Sequence, residues 1–89
     1  MNYLSMNFNK FIRKAANFGV TIYAMNEDET EYRFSTKWEI PCSMKRVDDV
    51  WQGVLYSRSP FVHDTHIKGT KKEVADKCLT FAVLGALNE

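Results

Sequence analysis

The residues with the most evident chemical potential lie in one short stretch, His63-Asp64-Thr65-His66, where imidazole nitrogens and a carboxylate are ordinary ligands for zinc and related ions. On an extended chain the two histidines point to opposite faces, and no third or fourth ligand stands at a companion spacing. A general base would also need a nucleophile and an orienting partner, and neither can be picked out. The expectation is therefore a protein with no catalytic residue, no metal and no cofactor.

Charge offers two further candidates. Glu27, Asp28, Glu29 and Glu31, with Asp48 and Asp49 further on, lack the glycine and spacing of a calcium loop. They read as a solvated hairpin tip or as an acidic patch for a basic surface on another protein. Lys71 and Lys72 fall in the first turn of a helix, where the macrodipole disfavours cations by about 0.3 to 1 kcal/mol each. Beside exposed helix amides they make an anion site that Lys68 and Lys77 extend, or else they keep an apolar helix soluble. Among the aromatics, Tyr32, Phe34 and Trp38 alternate with charged residues and read as core rather than as a base-stacking platform. Trp51, Tyr56 and Phe61 are the freer rings and the candidate interface anchors.

The elements that position these groups follow from periodicity. Leu4, Phe8, Phe11, Ile12 and Ala15 recur at helical spacing, and Gly19 stands where a helix ends in a left-handed residue, which predicts a helix over 5–18. Val20, Ile22 and Ala24 then alternate with Thr21, Tyr23 and Met25, the pattern of a half-buried strand. After the acidic turn at 26–30, Tyr32, Phe34, Thr36, Trp38 and Ile40 alternate with Glu31, Arg33, Ser35, Lys37 and Glu39, predicting a strand over 31–40 that Pro41 ends or confines to an edge. Between 42 and 69 both periods compete; the reading is a short helical turn at 43–50, a third strand at 51–58 and a loop to Gly69. Thr70-Lys71-Lys72-Glu73 has the form of a capping box and opens the last helix. That helix carries Val74, Cys78, Phe81, Ala82 and Gly85 on one stripe and Leu79, Val83, Ala86 and Leu87 on much of the other side, so it is buried on both sides or meets a partner.

The predicted architecture is a single α+β domain over 1–89, an antiparallel three-stranded sheet with N- and C-terminal helices packed on it. With 89 residues, 45% hydrophobic and 13% aromatic, the chain has material for one core and is not disordered by composition. Twelve basic residues against 11 acidic leave a net charge of +1, so phosphate recognition must be local rather than a general basic excess. Cys42 and Cys78 stand in no metal or redox spacing and read as reduced, buried thiols. Met1 to Lys14 lacks the continuous apolar run of a signal peptide, and 78–87 is about half the length of a membrane span, which predicts a cytoplasmic protein with no membrane partner.

The order helix, hairpin, strand, helix, closing with Gly69-Thr70-Lys71-Lys72-Glu73-Val74-Ala75, resembles the double-stranded RNA-binding domain, whose last helix opens with a Gly-x-Ser-Lys-Lys-like sequence. The resemblance implies that Lys71 and Lys72 hold phosphates across a major groove, with Lys68 and Lys77 nearby, and makes RNA the alternative partner. The family's third lysine falls at Ala75 and its Ala-Ala pair at Cys78-Leu79. Acids replace its minor-groove loop between Met25 and Glu31. In size and lack of catalytic motifs the chain is also similar to small bacteriophage accessory proteins, anti-CRISPR inhibitors among them. That likeness implies an inhibitor of a host nucleic-acid defence machine. The functional expectation is a non-enzymatic protein that binds another protein through Glu27, Asp28, Glu29, Trp51, Tyr56 and Phe61, or a second copy of itself through the last helix.

Overall fold

The first helix forms where the sequence places it and is stopped as expected. The computed structural model describes residues 3–87, and the side chains of Leu4, Ala86 and Leu87 lie outside the described residues. Helix α1 spans Tyr3–Asn17. Gly19 takes φ of 83°, Val20 N–H donates to the Ala15 carbonyl at 3.0 Å and Gly19 N–H to that of Ala16 at 3.0 Å, the paired bonds of a Schellman stop.

Five strands follow: β1 Thr21–Ala24, β2 Glu31–Ser35, β3 Cys42–Val47, β4 Val50–Leu55 and β5 Thr65–Gly69, with α2 Lys71–Leu87 closing the chain. They form one antiparallel meander in the order β1-β2-β3-β4-β5. The predicted α+β class with terminal helices holds, and the three-stranded sheet is corrected to five strands. Two readings account for the difference. The stretch 43–50 is not a helical turn: Met44 pairs across to Gly53 and Arg46 to Trp51, and the turn at Asp48, with φ of 58°, closes a tight hairpin. The loop before Gly69 contains β5, whose residues pair with β4 from Trp51↔Gly69 to Leu55↔Thr65.

The strand predicted over 31–40 ends at Ser35. The Thr36 hydroxyl accepts hydrogen bonds from the backbone N–H groups of Trp38 at 3.3 Å and Glu39 at 3.2 Å, and Thr36 N–H donates to the Glu39 carbonyl at 2.8 Å. This local turn captures amides that a ladder would otherwise use. Trp38 leaves the alternation and is 68% exposed, a correction to its reading as core.

Both helices pack on one face of the sheet. Register puts Ile22, Tyr32, Phe34, Cys42, Met44, Trp51 and Gly53 on that face, where they meet Phe8 and Ala15 of α1 and Val74, Ala75, Cys78, Leu79 and Ala82 of α2. The last helix is thus buried along a wide arc, and Phe81 and Val83 are partly buried against the same cluster. The capping box forms: Glu73 N–H donates to the Thr70 hydroxyl at 3.2 Å, and Thr70 N–H reaches the Glu73 carboxylate at 3.4 Å. Cys42 and Cys78 are free and buried, with the Cys42 thiol donating to the Cys78 carbonyl at 3.3 Å. The side-chain contact with Cys78, then burial, pushes the Cys42 thiol well above the ordinary range, so it is an inert core thiol.

Candidate functional site

The meander sorts the connections to two ends. At one end lie the turns 25–30 and 48–49 and the start of α2; at the other lie the end of α1, the connections 36–41 and 56–64, and the end of α2. Adjacent strands β2 and β3 bring the two turns side by side, and Arg46 N–H donates to the Thr30 carbonyl at 2.7 Å between them. Glu27, Asp28, Glu29, Asp48 and Asp49 are therefore gathered at one end, all exposed. The Asn26 side chain braces the first turn by accepting from Thr30 N–H at 3.0 Å and donating to the Thr30 hydroxyl at 2.9 Å.

The opposite end is the more apolar one: set among the charged Lys37, Glu39, Arg58 and Asp64 are six exposed large hydrophobic side chains, against Met25, Val47 and Val50 at the acidic end. Phe18, Trp38, Ile40, Phe61, Val62 and Leu84 are all exposed there, and Phe61 is 93% exposed. The connections that carry them are fastened together rather than independent. Tyr56 N–H donates to the Pro41 carbonyl at 2.9 Å, and the Arg58 guanidinium holds the Glu39 carboxylate, with Arg58 Nε at 3.0 Å. The same guanidinium lies 3.6 Å from where a Cβ on Gly85 would sit, so it also abuts the end of α2. Asp64 accepts from Ser57 N–H at 2.7 Å and ties the base of the Phe61 loop. Large apolar side chains are thus presented to water on a braced scaffold. That differs from isolated surface hydrophobes, which need no explanation.

The site residues read from the sequence distribute unevenly over this frame. Phe61 and Tyr56 lie at the apolar end, the Tyr56 hydroxyl 2.9 Å from that of Ser43, and Glu27, Asp28 and Glu29 lie at the acidic end. Trp51 is a correction: it is 8% exposed, stacks with Tyr32 at 6.0 Å between ring centroids, and belongs to the core. Phe18, Trp38, Ile40, Val62 and Leu84 were not singled out as contact residues. The available signal for Trp38 was Thr36 followed by Pro41, a turn-former and a ladder-breaker flanking the ring.

The helix-opening lysines separate. Lys71 folds back on the protein, its ammonium 4.0 Å from the Phe8 ring centroid, 5.0 Å from Tyr32 and 5.3 Å from Trp51, and it donates to the Tyr32 hydroxyl at 3.2 Å. Burial is the main reason its pKa lies below the usual lysine range, with nearby Glu29 opposing and Arg46 reinforcing that shift. Lys72 pairs with Asp76 at 3.1 Å one helical turn away. Lys77 is exposed on α2, and Lys68 projects from β5 on the face away from the helices. The four do not converge on one anion site. His66 lies on β5 and His63 in the preceding loop, and among the described residues no group of three His, Cys, Asp or Glu is arranged to hold a metal.

A shallow apolar cleft of about 390 Å³ beside α2 is lined by Leu55, Asp76, Lys77, Thr80, Phe81 and Leu84. Among the described residues, no helix is long and apolar enough to cross a membrane. No protein-family model matches the chain, and searches of curated proteins and of solved structures likewise find no match.

Proposed function

We propose that this chain is a small non-enzymatic binding protein that acts by contact with another protein, using its apolar end as the contact surface. One observation carries the reading. Phe18, Trp38, Ile40, Phe61, Val62 and Leu84 are each exposed at the end of the sheet where Glu39 and Arg58 fasten two of the connections to each other. Exposed rings on a pre-ordered frame lose little conformational freedom on binding, and rings that fill a partner's pocket dominate contact energies. The acidic end supplies a second surface, suited to a basic partner and opposite in character.

The likeness to small phage accessory proteins makes a host nucleic-acid machine the first partner class to test. Tagged protein is recovered from its native cell before and after nuclease treatment, and the retained macromolecules are identified. The expected result is a specific protein that stays bound after nuclease at near one-to-one ratio. Retention of nucleic acid alone, with every protein lost on nuclease treatment, overturns the reading.

A further inference from the structure

The sheet face turned away from the helices has a composition that the overall charge conceals. Register places Tyr23, Arg33, Ser43, Val54 and His66 in one cross-strand row, and Glu31, Lys45, Gln52 and Lys68 in the next. Glu31 is the one acid in these two rows, facing Lys45, while Arg33, Lys45, Lys68 and His66 supply the cationic or protonatable groups. Among the described residues, Arg33, Lys45 and Lys68 take part in no ion pair. Five of the other ten acids lie in the turns 25–30 and 48–49, so a chain of net charge +1 carries a locally basic face. Lys45, Gln52, Tyr56, His66 and Lys68, with Glu31 at one side, line a shallow concavity of about 430 Å³ on it.

The geometry points to this open sheet face as a binding surface for single-stranded nucleic acid. Three properties argue for that occupant. Unpaired cations in successive rows, about 7 Å apart along the strands, match a linear polyanion better than a compact anion. Tyr23 and Tyr56, about 16 Å apart, three strand spacings across and one row along, and both exposed, offer rings on which bases stack. Gln52 sits between Lys45 and Lys68, with His66 beside Lys68 on the edge strand, and both supply hydrogen-bonding groups for base edges or sugar hydroxyls. A duplex fits poorly, because its bases are stacked internally and cannot reach the tyrosines. Apart from Tyr56, which opens the connection 56–64, this surface shares no residue with the apolar end.

The test is fluorescence anisotropy of the purified full chain with labelled 12-nucleotide oligouridylate and oligothymidylate, a matching duplex, and polyglutamate as an acidic-polypeptide control. Expected are binding of at least one single strand at 50 mM salt and roughly twentyfold weaker binding at 200 mM, the slope for about three phosphate contacts. Arg33→Glu/Lys45→Glu/Lys68→Glu abolishes it, and Tyr56→Phe retains it while Tyr56→Ala weakens it about fivefold or more. Each variant is checked for an unchanged circular dichroism spectrum and melt. Absence of single-strand binding at 50 mM salt, duplex or polyglutamate bound as tightly, or a triple variant that binds normally overturns the proposal.

Discussion

Lys71 and Tyr32 form a polar contact at the edge of the core, and their chemistry makes the domain's stability sensitive to alkaline pH. Burial first, then the charge of Glu29, raises the Tyr32 pKa from 10.0 to about 12. Between those values the unfolded chain has released a proton that the folded chain keeps, so stability falls as pH rises above about 10. Lys71 has the opposite sign: with its folded pKa depressed, it sheds its proton first on folding and stability rises until the unfolded lysine titrates. Urea unfolding at pH 8 and pH 11 is expected to show wild type losing on the order of 1 kcal/mol more than Tyr32→Phe. Equal losses in the two proteins contradict this. The same contact separates the adjacent lysines. Lys71→Ala gives up the ring contacts and is expected to cost about 1 kcal/mol, whereas Lys72→Ala, which breaks one exposed pair, changes stability by less than about 0.5 kcal/mol. Matching effects in denaturant titrations count against the structural role assigned to Lys71.

At the scale of elements, α2 lies so close to β4 that one position admits no side chain. A Cβ on Gly53 would meet Val74 Cγ1 at 2.8 Å and Ile67 Cγ1 at 2.9 Å. Gly53→Ala is therefore expected to destabilise the domain by about 1 to 3 kcal/mol, read as a lowered urea midpoint with an unchanged slope. No shift in midpoint refutes the close approach. Both helices, the Gly19 stop, the capping box and the first hairpin were legible because each rests on local chemistry: a period, a left-handed glycine, a reciprocal side-chain bond. The extra strands were not. Met44, Val47, Trp51, Val54 and Leu55 fit a helical stripe only because a two-residue turn at Asp48 and Asp49 lets two strands run back to back, which mimics that spacing. The edge strand Thr65–Gly69 has exposed or half-buried residues throughout and so carries no alternation to read. Trp38 misled for the converse reason, its alternation being complete while a hydroxyl of Thr36 diverted the backbone.

For the molecule as a whole, the meander converts a nearly neutral chain into distinct surfaces: an acidic end, an apolar end and a basic sheet face. Of the residues proposed for contact, Phe61 and the acids were visible in the sequence, since neither has a periodic role to fill. Their grouping was not, because it depends on which connections share an end of the sheet. The apolar end is the surface proposed to make the functional contact. The most direct measurement is the affinity of Trp38→Ala/Phe61→Ala for the protein retained by wild type, with melting temperature recorded alongside. Both rings are well exposed, so the melt is expected to stay within a few degrees of wild type while affinity falls about thirtyfold or more. Wild-type affinity in a folded double variant contradicts the claim.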